Sequence, residues 1–275
     1  MNPSETRVAR ARLYALLSSL VARGPTPSAL AVARELPALA ELTSSDPETL
    51  ASGHHAALSL ASASACLSPD GLAGGPEPDD LGAVLATLAA LDARGDASDD
   101  VAALLDRTLS WLPIFALCVR TVREPAWSAV VDLSLELCAG HRASIDRPRV
   151  PVEPSASPID LDAPETSLRS IAASLCRPAV SAWMPSGPEI SRLAEAVDLP
   201  GGFGDRSDRL TGLFYAATDA GRLPALCDTL HAVLLAWATD LRAFEDDLRI
   251  PLSSWSQRAD ATAGTIVRVG RSASA

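Results

Sequence analysis

The sequence predicts an all-α fold, and three observations carry that prediction. Apolar residues recur at helical spacing along most of the 275 residues. No stretch alternates with the two-residue period of a half-buried strand for long enough to form one. Aliphatic residues and Ala dominate a 48% hydrophobic fraction in which aromatics are only 4%, a composition that favours helices packed closely through Leu, Val and Ala. The expected architecture is a single helical bundle of about ten helices. It spans 1–275, with an N-terminal half (1–145) and a C-terminal half (166–270) joined by a Pro-rich connection at 146–165.

Each element follows from its own signals. Val8, Ala11, Ala15 and Leu16, flanked by Leu13, Leu17, Leu20 and Val21, give a first helix from about Ser4 to Arg23 a wide buried face. Gly24 and Pro25 stop it. Thr26 and Pro27 open a second helix to about Leu42, interrupted or bent at Pro37. A third, from about Pro47 to Leu60, carries His54 and His55, whose side chains diverge by about 100° and so cannot easily share a metal. Residues 62–78, rich in Ser, Pro and Gly, read as a loop. Helix resumes at Leu81 with Val84, Leu85, Leu88 and Leu91 on one face. After an acidic loop at 95–100, Val101, Leu104, Leu105, Thr108 and Leu109 define a helix running into Trp111 and Pro113. Trp127, Val130, Val131, Ser134, Leu135 and Cys138 define the next, ending at Gly140.

From 146 to 164 five prolines remove backbone donors and disfavour helix. Beyond them, Ser186 and Glu189 have the spacing of a capping box, with Pro188 in the first turn. Ile190, Leu193, Ala194 and Val197 share one helical face, Pro200, Gly201 and Gly202 end that helix, and Asp205 caps the next, whose buried face is Leu210, Leu213, Phe214 and Ala217. The unit is an αα-hairpin. A long amphipathic helix through Leu226, Leu230, Val233, Leu234, Trp237, Leu241 and Phe244 follows, and a last one runs from about Ser253 to Val269.

Charge and composition exclude several classes of function. A net charge of −11 opposes non-specific binding to nucleic acid or anionic membrane, both polyanions, and would attract a basic partner. The start of the chain lacks the basic and apolar regions of a secretion signal, and the apolar stretches near 129–139 and 230–239 are too short to span a bilayer, so a cytoplasmic location without membrane insertion is expected. The five cysteines, Cys66, Cys118, Cys138, Cys176 and Cys227, are odd in number and form no C-x-x-C pair, and read as small buried hydrophobes. Gly202-Phe203-Gly204 follows a helix, not a strand, and lacks the third glycine of a dinucleotide fingerprint. The hairpin's turn, 199–204, is longer than that of a DNA-binding helix-turn-helix despite Arg206 and Arg209 nearby. No nucleophile, base and orienting group can be assembled, so no enzyme, catalytic residue, metal or cofactor is expected.

A family resemblance rests on several segments in order. They are a stretch opening at Cys176 and carrying Ser181; E-I-S-R-L-A from Glu189; L-P-G-G-F-G-D-R from Leu199; and R-L at Arg209-Leu210. Earlier in the chain stand Ser68-Pro69-Asp70-Gly71-Leu72, Glu77-Pro78-Asp79-Asp80 and Leu109-Ser110-Trp111-Leu112-Pro113, and later Trp255, Arg258 and Thr262. Together they resemble the TorD/NarJ-like chaperones, all-helical proteins that assist the maturation of molybdoenzymes, over most of residues 50–265. Asp80 stands where that family carries His, and Ala and Ser at 61–65 replace its usual aromatic and Pro residues.

The resemblance implies a cytosolic chaperone that holds an apo-molybdoenzyme catalytic subunit, or its basic N-terminal signal segment, until the molybdenum cofactor is inserted. A groove with apolar walls and acidic rims would suit such a segment, and the expected client-binding residues are Glu77, Asp79, Asp80, Trp111, Arg177 and Trp183. The altered Pro-Asp-Asp motif equally suits a helical adaptor that kept the fold and lost the chaperone activity. The Pro-rich connection would also permit a domain-swapped homodimer.

Overall fold

The computed structural model describes residues 3–58, 81–95, 99–149, 156–163 and 166–272. Among them the chain is all-α, with thirteen α-helices and no strand. It divides into two compact units, Met1–Val152 and Glu153–Ala275, and the break falls inside the Pro-rich stretch.

The N-terminal unit contains α1 (Pro3–Arg23), α2 (Pro27–Ala33), a 3₁₀ turn (Pro37–Leu39), α3 (Ala40–Ser44), α4 (Pro47–Leu58), α5 (Leu81–Arg94), α6 (Asp99–Val122) and α7 (Pro125–Ala143). Gly24, at φ +75°, ends α1, and the Thr26 hydroxyl accepts the Ala29 N–H at 3.3 Å to start α2. The helix expected over 26–42, interrupted or bent at Pro37, is interrupted there and runs in three pieces. Pro37 lacks an N–H and crowds the preceding turn, and Leu36 before it is extended (φ −110°, ψ 109°), so α2 closes at Ala33.

α1 and α5 pack antiparallel. Arg10 grips both carboxylate oxygens of Asp92, at 2.5 and 2.6 Å, and Ser18 Oγ donates to the Gly82 carbonyl at 2.8 Å. α7 lies against α6, where the buried Arg142 donates to both oxygens of Asp106 at 2.7 and 3.1 Å. It also donates to the carbonyl of Pro148 at 2.8 Å, holding the first part of the Pro-rich stretch.

Two helices run further than expected. α7 passes through Gly140 to Ala143, and α6 continues through Pro113 for 24 residues. An interior proline costs a helix about 3 kcal/mol, but every residue from Trp111 to Val119 is buried, and that apolar burial offsets the cost. α6 is also, by length and composition, the one helix among the described residues long and apolar enough to cross a membrane. Asp106, Arg107 and Pro113 interrupt its apolar run, and most of it is buried inside the fold.

The C-terminal unit contains α8 (Leu168–Leu175), α9 (Pro178–Ser181), α10 (Gly187–Ala196), α11 (Arg206–Asp219), α12 (Leu223–Leu248) and α13 (Ser253–Ser272). α12 and α13 form its central pair. They approach so closely that a Cβ added at Gly270 would lie 2.9 Å from Cys227 Cβ. Arg242 pairs with Asp260 across them. α8, not expected from the sequence, starts on a reciprocal cap in which Ser167 Oγ accepts from Ser170 N (3.2 Å) and Ser170 Oγ from Ser167 N (2.8 Å).

Candidate functional site

The site with the most chemistry lies in the C-terminal unit and is built by the turn from α8 to α10. Arg177 precedes Pro178, which pushes its backbone to φ −105°, ψ 103°, ends α8 and starts α9. Its guanidinium is exposed. Four residues later the buried Ser181 hydroxyl sits 2.9 Å from the Leu175 carbonyl and accepts the Trp183 N–H at 3.0 Å. Ala182 between them is left-handed at φ +57°, unusual for a residue with a Cβ. The tight knot turns Trp183 into the core, where it is wholly buried.

Arg258 of α13 braces this knot. Its Nη1 donates to the Ala156 carbonyl at 2.6 Å and lies 3.3 and 3.4 Å from the carbonyls of Ala179 and Val180. One guanidinium thus ties the second part of the Pro-rich stretch to α9. Between that stretch and α8 a cleft of about 410 Å³ opens. Asp160, Thr166, Ser170, Ser174 and Arg177 give it a polar rim, and Ile159, Ile171 and Val180 an apolar floor. The Thr166 hydroxyl donates to the Asp160 carbonyl at 2.8 Å, and the Asp162 N–H to Asp160 Oδ1 at 2.9 Å, so the rim is ordered by its own hydrogen bonds.

Behind Trp183 sits a buried carboxyl. Ser186 Oγ accepts the Glu189 N–H at 3.1 Å, the N-cap half of the expected capping box. The Glu189 side chain is 6% exposed, its Oε1 accepts the Trp237 indole N–H at 3.4 Å, and Oε2 makes no hydrogen bond. Burial raises its pKa to about 7 against the opposing pull of the Trp237 N–H, the Arg192 guanidinium and the Ser186 N–H. Trp183 also favours the charged form, although its indole nitrogen falls short of hydrogen-bond geometry.

The six residues expected to form a client groove fare differently. Glu77, Asp79 and Asp80 lie outside the described residues. Trp111 belongs to the N-terminal unit and is buried on α6, and Trp183 is buried beneath the knot, so neither tryptophan presents a wall to solvent. Arg177 alone reaches a cleft. Its companions there, Asp160, Thr166, Ser170 and Ser174, were missed because the Pro-rich stretch reads as a bare linker and α8 carries only a faint Ser-x-x-Ser signal.

Other chemistry-bearing residues are engaged in packing. His54 Nε2 meets the Val21 carbonyl at 2.9 Å and its ring packs edge-on to Trp127, while His55 is exposed. Cys118, Cys138, Cys176 and Cys227 are free and buried, and burial pushes Cys138 and Cys227 up to about 12, far from a reactive thiolate. Cys66 lies outside the described residues. Among the described residues no group of His, Cys, Asp and Glu is placed to hold a metal ion. Arg209 is spent on Ser191, donating at 2.7 Å, and so serves the α10–α11 hairpin.

No family model matches the chain, no curated protein matches its sequence, and no solved structure matches its fold.

Proposed function

We propose that this protein is a redox-enzyme maturation chaperone of the TorD/NarJ kind. It would bind an apo-molybdoenzyme catalytic subunit or its basic N-terminal signal segment in the cytoplasm, assist molybdenum cofactor insertion, and catalyse no reaction itself. The observation that carries this reading is the Arg258 brace. Residues that support the resemblance from positions far apart in sequence, Arg258 on one side and the 176–183 segment on the other, meet through hydrogen bonds in one compact unit. A single TorD-like bundle is the architecture this reading favours.

The cleft beside Arg177 offers such a client an apolar floor, hydroxyls for an extended backbone and Asp160 as an acceptor for its basic side chains. The test is calorimetric titration of the full-length protein with a synthetic twin-arginine signal segment, on the wild type, Asp160→Lys, and Asp79→Ala combined with Asp80→Ala. Binding weakened about tenfold by Asp160→Lys supports this cleft, and weakening by the double variant would place the client at the Pro-Asp-Asp motif instead. No binding to any form, with no molybdoenzyme subunit co-purifying, removes the chaperone reading. The second reading, an adaptor that kept the fold and lost the activity, is favoured by Asp80 at the family's His position.

A further inference from the structure

The outer faces of α1 and α5 form a groove of about 740 Å³ within the N-terminal unit. Its floor is almost entirely alanine, Ala11, Ala15 and Ala22 from α1 facing Ala86, Ala90 and Ala93 from α5. Val8, 49% exposed, stands at one end. Small side chains on both walls leave room for the larger side chains of a third helix, and the span from Val8 to Arg23 is about 22 Å, four turns long.

The charged residues lining the groove are both basic, Arg12 and Arg23, in a protein of net charge −11, and the two helices as a whole carry five arginines (Arg7, Arg10, Arg12, Arg23, Arg94) against Glu5 and Asp92. Asp92 is already neutralised by Arg10. Arg12 and Arg23 line the groove, are exposed, and have no hydrogen-bond or ion-pair partner among the described residues. They stand eleven residues apart, so they lie on nearly the same side of α1 with their Cα atoms about 16 Å apart.

We propose that this groove seats an acidic amphipathic helix of a partner protein. The partner's apolar stripe would enter the alanine floor, and two carboxylates about three turns apart would meet Arg12 and Arg23. A groove walled by two helices suits a helix better than the flat surface of a bilayer. The inference does not rest on the chaperone reading, since a basic signal segment would be repelled here and is assigned to the C-terminal cleft.

The test titrates the full-length protein with a capped peptide of about 18 residues bearing a Leu/Ala stripe at helical spacing and two Glu eleven positions apart, and with its Glu-to-Lys counterpart. The Glu peptide is expected to bind, more weakly as salt rises. Arg12→Glu combined with Arg23→Glu should weaken it about tenfold and let the Lys peptide bind instead. Ala86→Trp, and separately Ala15→Leu, should block the Glu peptide, with circular dichroism confirming that each variant folds. Absent binding, equal binding of the two peptides, or indifference to these variants would overturn the proposal. So would tighter binding to anionic vesicles that the charge variants abolish, which would assign the face to a membrane. Concentration-dependent dimerisation abolished by Ala86→Trp would overturn it in favour of a second copy of this chain.

Discussion

Trp237 on α12 donates its indole N–H at 3.4 Å to a carboxyl, Glu189, that began as a helix cap on α10 and ended in the core. The pair makes stability depend on pH. An unfolded glutamate releases its proton near 4.5, whereas the buried Glu189 keeps it to about 7, so between these values the folded state holds a proton that the unfolded state has lost. Stability therefore falls as pH rises through that window and is level above it, by about 3 kcal/mol at most. Urea denaturation at pH 5 and pH 8 reads the slope. Glu189→Gln keeps the shape and should raise stability at pH 8 relative to pH 5 compared with the wild type, and an unchanged difference in that variant would assign the effect to another group.

His141, beside the Arg10–Asp92 pair, acts over nearly the same pH window with the opposite sign. His141 Nε2 lies 3.7 Å from Asp92 Oδ1 and its Nδ1 3.1 Å from the Tyr14 hydroxyl, and burial, followed by the Arg10 charge, holds its pKa below 6.5. It is kept neutral in the fold, so its contribution to stability is present above pH 6.5 and is lost as pH falls below that value. Asp92→Ala leaves the Arg10 guanidinium without its partner between α1 and α5 and should cost about 3 kcal/mol. Chemical denaturation at pH 7.5 measures it, and a loss within error of zero would mean that water replaces the carboxylate.

Arg142 and Arg258 hold the two parts of the Pro-rich stretch, each within its own unit. A proline-rich segment has few N–H groups with which to build structure, so its carbonyls depend on donors from elsewhere. Arg258→Ala removes a charged donor from the Ala156, Ala179 and Val180 carbonyls and should cost about 2 kcal/mol. Limited proteolysis should become faster after Ala156, with Arg258→Lys intermediate. Equal cleavage of wild type and variant would show that the brace does not restrain the stretch.

Close approach of α12 and α13 depends on Gly270. A methyl there would press on Cys227 Cβ, the rigid base of a buried side chain, at 2.9 Å. Gly270→Ala should lower stability by about 1–3 kcal/mol, measured by thermal unfolding, while Gly264→Ala, which meets nothing within 4 Å, should be neutral or slightly stabilising. Equal shifts in the two variants would mean that the helices part without cost.

Most helix positions were legible because their signals are local. Ser186, Asp205 and Thr26 each cap the helix that follows them, and the apolar faces of α10, α11 and α12 are buried as their spacing requires, except that Val233 of α12 is only half-buried. The misses have physical causes. Pro113 and Gly140 read as stops, but α6 and α7 bury so much apolar surface around them that local propensity is overridden. At Pro37 the local signal holds, and the helix expected over 26–42 is interrupted there.

By itself the sequence determined the helical class, the caps and most of the buried face of each long helix, because these depend on side chains within a few residues of one another, but on α1 the face expected to be buried at Val8 and Ala15 is exposed. Only the tertiary structure decided that Trp183 faces Glu189 while Arg177 faces solvent, that Arg258 reaches back to Ala156, and that arginines gather beside an alanine groove in a chain of opposite charge. Those relationships join residues tens of positions apart. Their energies come from desolvation and from hydrogen bonds that exist only once the helices have packed, and no local pattern records them.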